Sequence, residues 1–274
     1  MLNLATEGVA RVVHLASSFR YNDVDDEWHR KTNVDGTKAL ARACLHNGVE
    51  RLVHVSTIGV HGSVGRTSAD ESSEFNPGDI YQRTKVQSEL WVREFCREHS
   101  MDLVVVRPCA TYGPGDRRLL KLFHQARWGV MPWVGQGEGR LTYVHVHDLV
   151  EFLQLCMVHP DAPGGVFICG DSRSVPSRDL VRLIAEYLGK DLKVLRLPLA
   201  PVMAAAVVCE RLCKKLGVSP PIFPRRVRFF TNERCFSSER AKQKLGYSTQ
   251  ISLEEGLLST LCWYLESGWL EPSR

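Results

Sequence analysis

The sequence predicts an α/β fold in which helices cover a parallel sheet, followed by a smaller, mostly helical carboxyl-terminal lobe. Two patterns carry this. Short apolar runs rich in β-branched residues occur at 10–16 (ARVVHLA), 51–57 (RLVHVST) and 101–108 (MDLVVVRP), each too short for a helix of its own. Between them lie stretches whose apolar residues recur at helical spacing, and strand, helix, strand, helix, strand is the alternation of a parallel sheet with helical crossovers. With 274 residues, 44% of them hydrophobic and 24% charged, the chain can bury a substantial core. The reading places a sheet domain at 1–170 and a second lobe at 171–274, with 116–140 contributing to that lobe.

The first strand runs into the polar stretch SSFRYNDVDDE, a loop. From Trp28 onward Val34, Leu40, Ala41, Cys44 and Leu45 fall at helical spacing, and Asn47-Gly48 supplies a C-cap. The second strand leads into IGVHGSVGRTSADESSEFNPGD, whose Gly, Ser, Asp and Pro content predicts a long loop. The next helix carries Tyr81 and Lys85. On it Val86, Leu90 and Phe95 form an apolar stripe, with Glu89, Arg93, Glu94 and Arg97 facing water. Pro108 stops the third strand before the CATYGPGD loop. RRLLKLFHQARWGV then reads as an amphipathic helix, GQGEGR as a tight turn, LTYVHV as a strand, DLVEFLQLCMVH as a helix and GGVFICG (164–170) as a strand. SRDLVRLIAEYLG is a helix with Ser177 as its N-cap. Residues 197–209 (LPLAPVMAAAVVC) carry no charge. They read as a helix of the small lobe, or more sharply as an apolar wall around a lipophilic substrate or a shallow membrane contact flanked by Arg196, Arg211, Lys214 and Lys215. An extended piece, a short helix ended at Gly246 and a final amphipathic helix close the chain.

The most chemically suggestive stretch is Tyr81-Gln82-Arg83-Thr84-Lys85. A Tyr and a Lys four apart project from one helix face, so a fixed ammonium can favour the phenolate and make the pair a general acid/base. Other classes find less support. The net charge of +4 is small and its basic residues are scattered, which gives nucleic-acid binding little basis. Nine cysteines without a CxxC pair, most of them in apolar segments, read as reduced, buried thiols of a cytoplasmic protein. No run reaches the ~20 apolar residues of a membrane span, and the amino terminus lacks the pattern of a signal peptide. His145, His147 and Asp148 suggest a metal cluster, but a packed strand and an N-capping Asp explain them better, so no metal is expected.

The Tyr/Lys pair has ordered company: HLAS at 14–17, NVDGT at 33–37, VHVSTIGVHG ending a strand, VRPCATYGPGD after the next, then LTYVHVHDL and GGVFICGD. This set resembles the extended short-chain dehydrogenase/reductase family, also called the NAD-dependent epimerase/dehydratase superfamily, over nearly the whole chain. The resemblance implies a Rossmann-type, doubly wound parallel sheet and NAD or NADP as cofactor. It implies Tyr81 as catalytic acid/base, Lys85 as the residue that binds the nicotinamide ribose and lowers the tyrosine pKa, and Thr57 as the hydroxyl orienting the reacting oxygen, with Ser56 as alternative. Leu15, Ala16 and Ser17 resemble the strand-end backbone against the cofactor, Asn33 the asparagine near it, and Pro108 and Cys109 the segment beside the nicotinamide. His61 stands where many relatives have Tyr and is read as filling space.

Family members open with a strand, a GxxGxxG turn and a helix before the counterpart of VVHLAS. Here no GxxGxxG or GxGxxG opens a helix; Gly135, Gly137 and Gly139 are spaced as a turn before a strand. The expectation is an amino-terminally truncated, partial Rossmann sheet whose strand at 10–16 is left as an edge. The apolar 197–209 segment and the ending CFSSERAKQKLGYSTQISLEEGLLSTLCWY are similar to 3β-hydroxysteroid and sterol dehydrogenase-like members. The expected reaction is therefore interconversion of a secondary alcohol and a ketone on a lipophilic small molecule, in a protein compatible with a homodimer and with peripheral membrane contact. The alternatives are a nucleotide-sugar epimerase or dehydratase, with Arg225, Arg226 and Arg228 clamping a diphosphate, and a non-catalytic remnant.

Overall fold

The computed structural model describes residues 1–19, 25–135, 138–218, 220–228 and 231–271. In chain order, α1 (Leu2–Thr6) and β1 (Arg11–His14) precede α2 (Asp26–Arg30), a π-helical turn (Lys31–Asp35), α3 (Gly36–His46) and β2 (Arg51–Val55). A 3-10 turn (Ile58–His61), β3 (Gly65–Ala69), α4 (Ile80–Glu98), β4 (Asp102–Pro108), β5 (Ala110–Tyr112), α5 (Arg117–Arg127) and β6 (Val130–Val134) follow. Then come β7 (Arg140–His145), α6 (Val146–Val158), β8 (Val166–Cys169), β9 (Ser174–Pro176), α7 (Ser177–Tyr187), β10 (Lys193–Leu197) and α8 (Leu199–Leu216). The chain ends with α9 (Pro224–Arg228), β11 (Arg234–Phe236), α10 (Glu239–Leu245) and α11 (Leu253–Glu266).

The three sequence-predicted strands pair in parallel and a fourth joins them, in the order β1-β2-β4-β8. Both faces of this sheet are covered, which is why β2 and β4 read as continuous apolar runs. Val53, Val55, Val104 and Val106 pack toward Phe152, Leu153 and Cys156 of α6. The alternating Leu52, Leu103 and Val105 pack toward Ala41 and Cys44 of α3 and Val92 and Cys96 of α4. Arg51 ties α6 to the sheet by donating from Nη1 to the carbonyls of Cys156, Met157 and His159, the open acceptors of a helix end. β1 lies at the sheet edge among the described residues, with Val12 and Val13 half-buried.

A second sheet, β3-β11-β7-β5, runs parallel throughout, with β9 antiparallel to β7. Beside it, Phe123 of α5, Leu180 and Ile184 of α7, and Leu257, Leu261 and Tyr264 of α11 form a separate core. Each such fully buried side chain contributes about 1.5–3 kcal/mol of apolar transfer energy.

Several local expectations change. The loop after β2 contains β3, which pairs with β11 234 residues into the chain, and the CATYGPGD loop contains β5. Residues 130–134 form β6 beside β10, and the extended piece near 224 includes the short helix α9. Ser177 is the first residue of α7 rather than its cap; Pro176 holds the N-cap position and the Ser177 hydroxyl donates to the Gly139 carbonyl. Gly246 ends α10 with a φ of 64°, where a side chain would be strained. All nine cysteines are free thiols, but Cys262 is exposed and Cys209 and Cys213 are half-buried. Gly137 and the side chains of Arg225 and Arg226 lie outside the described residues.

Candidate active site

The site is built on the amino-terminal half of α4. Asp79 caps the helix by accepting from Gln82 N at 2.8 Å, which sets Tyr81 in the first turn and Lys85 one turn on. Tyr81 is buried and meets Phe19 edge-on at 4.8 Å between ring centroids. Lys85, only 2% exposed, donates from Nζ to the Val55 carbonyl at the end of β2, 2.7 Å away. Burial lowers its pKa to about 8, opposed by the carboxylate of Glu89. An ammonium has three donors. Among the described residues the Val55 carbonyl is the one acceptor bonded to this one, so two buried N–H groups remain for a ligand.

Just beyond β2, Thr57 is half-exposed and caps the 3-10 turn, its Oγ1 accepting from Gly59 N at 3.1 Å. Its hydroxyl proton is left to donate elsewhere. Ser56 points the other way: its hydroxyl is buried without a partner among the described residues. Strand alternation puts Ser56 on the side of Leu52 and His54, so of the two hydroxyls Thr57 is the accessible one.

Asn33 joins the strand end to the helix. Its Oδ1 accepts from Ser18 N (2.7 Å) and Ser17 Oγ (3.1 Å), and its Nδ2 donates to the Ser18 carbonyl (3.1 Å) and to Thr84 Oγ1 (2.9 Å). The amide is thereby saturated, and Asn33 positions the β1 end against α4. It sits in the π-helical turn, a local widening frequent at functional sites. Leu15 and Ala16 at the same strand end are exposed. Pro108 closes β4, and Cys109 follows with its N donating to the Cys169 carbonyl. The Cys109 side chain turns toward Gly170, where a Cβ would collide with its sulfur, and burial pushes its thiol pKa far upward, so it is an inert packing group.

One feature overturns the expected face of α4. Glu89, expected in water, is fully buried and forms a bidentate pair with Arg107 of β4, at 2.5 Å (Oε1 to Nη2) and 3.2 Å (Oε2 to Nε). Arg107 Nη1 also donates to the Glu71 carbonyl and to His61 Nε2 (3.0 Å), while His61 Nδ1 bonds the Glu74 carbonyl. His61 is thus fixed with its proton on Nδ1, and burial lowers its pKa. Leu90, expected in the apolar stripe, is instead exposed. Sequence reading missed this network because isolated charges on a helix are ordinarily solvated; the only signal is a Glu one turn after Lys85 and an Arg directly before Pro108.

His14 and His54 complete the buried polar layer beneath Lys85. They are in register on β1 and β2, with ring centroids 5.5 Å apart. His14 Nε2 bonds Thr37 Oγ1 at 2.9 Å, and both ring nitrogens of His54 are unpartnered among the described residues. Burial first, and the Lys85 charge second, lower the His14 pKa to about 4 and push that of His54 well below its usual value. A histidine kept neutral in the fold but protonated when unfolded makes stability fall as pH falls from 6.5 toward 4. His14 alone is expected to contribute up to roughly 3 kcal/mol to that loss. Urea unfolding across this range tests it: His14→Gln should flatten the pH dependence, and an unchanged slope would contradict the assignment.

The other expected cluster is structural. His145, not Asp148, caps α6 through Nδ1, and stacks on His147. Asp148 instead accepts from the backbone of Gln250 and Ile251, fastening the carboxyl-terminal segment. An open cavity of about 930 Å³, lined among others by Arg140, Asp171, Arg173, Arg178 and Lys242, includes none of Thr57, Tyr81 or Lys85.

A parallel sheet covered on both faces, with helix α4 beside the carboxyl end of β2, is the fold of the extended short-chain dehydrogenase/reductase class. A family model for the NAD dependent epimerase/dehydratase family matches residues 3–170, and the chain belongs to that family. It is 28% identical over 251 residues to a 3beta-hydroxysteroid-dehydrogenase/decarboxylase (isoform 1) of Arabidopsis thaliana, covering 84% of this chain but 56% of that relative. It is 27% identical over 266 residues to a UDP-glucose 4-epimerase of Vibrio cholerae, covering 93% of this chain and 77% of the relative. Among solved structures, the dTDP-glucose 4,6-dehydratase DesIV of Streptomyces venezuelae, crystallised with NAD, aligns with a TM-score of 0.76 at 26% identity, over 100% of this chain and 79% of that one.

The residues present fit one end of the family's cofactor. The spare, buried N–H groups of Lys85 suit the ribose hydroxyls of a nicotinamide nucleotide, and Leu15 and Ala16 at the end of β1 are exposed. The pyrophosphate end has no such cradle among the described residues. Gly59, Gly62 and Gly65 do have GxxGxxG spacing, but they pass through a 3-10 turn into β3 rather than opening a helix. Gly62 serves a different need: its φ is 67° and a Cβ there would collide with the Asn76 carbonyl.

Proposed function

We propose that the protein is an NAD- or NADP-dependent oxidoreductase that interconverts a secondary alcohol and a ketone on a lipophilic, sterol-like substrate through Thr57, Tyr81 and Lys85. The observation that carries this is the buried Lys85 ammonium, anchored on the Val55 carbonyl one turn from Tyr81, with Thr57 at the end of the same strand. In the reducing direction the Tyr81 phenol gives its proton to the carbonyl oxygen as that oxygen gains charge. The Thr57 hydroxyl donates a hydrogen bond to the same oxygen and fixes its orientation. Lys85, still mostly protonated at neutral pH, stabilises the phenolate left behind and holds the ribose. The nicotinamide supplies or accepts the hydride. Leu15, Ala16 and Ser17 would lie against the cofactor as strand-end backbone and Pro108 and Cys109 would lie beside the nicotinamide, with Asn33 holding the first of these segments in place.

The lipophilic substrate is supported by the similarity to the hydroxysteroid relative. A second reading, a nucleotide-sugar epimerase or dehydratase, is favoured by the similar identity to the UDP-glucose 4-epimerase. Assaying the chain with NAD and NADP against a panel of hydroxysteroids and a panel of nucleotide sugars separates them. Turnover of steroids alone supports the first reading, and turnover of sugars alone overturns it.

A further inference from the structure

Helix α8 buries one residue fully, Ala206. With Val202 and Met203 it packs on Val134 of β6 and Val227 of α9, so the helix rests on the protein through a single stripe. On the opposite face Pro201, Ala204, Ala205, Val208, Leu212 and Leu216 recur at intervals of three and four and are exposed, Leu216 by 74%. The patch does not stop at the helix. In the β6–β10 pair, Lys193 is in register with Val130, Leu195 with Pro132 and Leu197 with Val134. Alternation puts all six on one face, which α8 covers only at Val134, leaving Val130 and Leu195 in the open. Trp128, two residues earlier, is 79% exposed.

Charge is distributed as unequally as apolar surface. Residues 190–218 hold six basic residues (Lys190, Lys193, Arg196, Arg211, Lys214 and Lys215) against Asp191 and Glu210, an excess of four. The whole chain has a net charge of +4, so this one segment holds all of it and the remainder is balanced. The 18-residue helix is ~27 Å long, and no described helix is long and apolar enough to cross a membrane.

We propose that the outer stripe of α8, with the open face of the β6–β10 pair, is a docking surface for an anionic lipid membrane. The helix lies in the interface plane, its Val and Leu side chains entering between headgroups while Lys193, Arg211, Lys214 and Lys215 meet phosphate; Arg196 alternates to the other face of β10. Charge complementarity selects this occupant: a second copy would bring the same positive surface against itself, whereas an anionic bilayer matches both the apolar stripe and its basic rim. None of Thr57, Tyr81 or Lys85 takes part, so the surface stands or falls independently of the catalytic reading.

The test is sedimentation of the full chain with vesicles of phosphatidylcholine, alone or with roughly 30% phosphatidylglycerol, at about 0.1 M and 0.5 M salt. Binding to the anionic vesicles is expected to be at least about tenfold tighter than to the neutral ones and to weaken in high salt. The exposed-site double variant Val208→Asp/Leu212→Asp should lose that binding while keeping its circular dichroism. Lys214→Glu/Lys215→Glu, which leaves the apolar stripe intact, should lose it as well. Absence of vesicle binding, or equal binding to both vesicle types, overturns the proposal. So does a dimer in size-exclusion chromatography that Val208→Asp dissociates while vesicles fail to bind.

Discussion

Tyr81→Phe is expected to lower turnover by about 10²–10⁴-fold while leaving NADH affinity within about twofold of the parent. The substitution removes one oxygen. The ring keeps its edge-on packing against Phe19, and the helix cap at Asp79 and the Lys85 anchor on Val55 are untouched. On the proposed mechanism the proton donor is lost, and Cys109, buried against Gly170, His61, with both nitrogens engaged by Arg107 and Glu74, and Ser56, which faces away, are not placed to replace it. Steady-state rates with the best substrate of the panel, beside fluorescence titration with NADH, separate the two effects. A variant that keeps most of its turnover would move proton transfer away from Tyr81.

The largest expected effect on stability comes from Arg107→Leu, about 3–5 kcal/mol. The cost arises from what remains rather than from what is removed. Glu89 would keep a carboxylate at zero exposure with its bidentate partner gone, and His61 Nε2 and the Glu71 carbonyl would lose their donor. Because α4 also carries Tyr81 and Lys85, relaxation of Glu89 disturbs the site that the helix presents. The double variant Glu89→Leu/Arg107→Leu removes both charges and should recover most of the loss, since a buried ion pair can be replaced by apolar residues at little net cost. Urea unfolding of the three proteins measures this; a single variant as stable as the parent would contradict the network.

How much was legible follows from which residues obey periodic rules. β2 and β4 were readable because helices cover both faces of the sheet, so Leu52, Val53, Val104 and Val105 are all apolar. α4 was readable as a helix, but its buried face was not. Tyr81, Gln82, Thr84, Lys85, Ser88 and Glu89 are all buried, so the inward stripe of its first half is polar and the periodicity of apolar residues pointed to Leu90 instead. Residues 65–69 were hidden for another reason: β3 exists only by pairing with β11, a long-range contact that local composition does not encode. The helix that carries Tyr81 and Lys85, and the strand end that carries Thr57, were legible from spacing, while the catalytic role proposed for them rests on the family resemblance. The supporting roles of Asn33, Glu89 and Arg107 appear only once β1, α4 and β4 are brought together.

The most direct measurement is the fluorescence of NADH and of NADPH on titration with the chain, its Lys85→Met variant and its Tyr81→Phe variant. The account predicts saturable binding by the parent, binding weakened at least about tenfold by loss of the buried ammonium, and binding nearly unchanged in Tyr81→Phe. Absence of binding of both NADH and NADPH by the parent, or equal affinity in the Lys85→Met variant, would contradict the assignment of this pair to a nicotinamide cofactor.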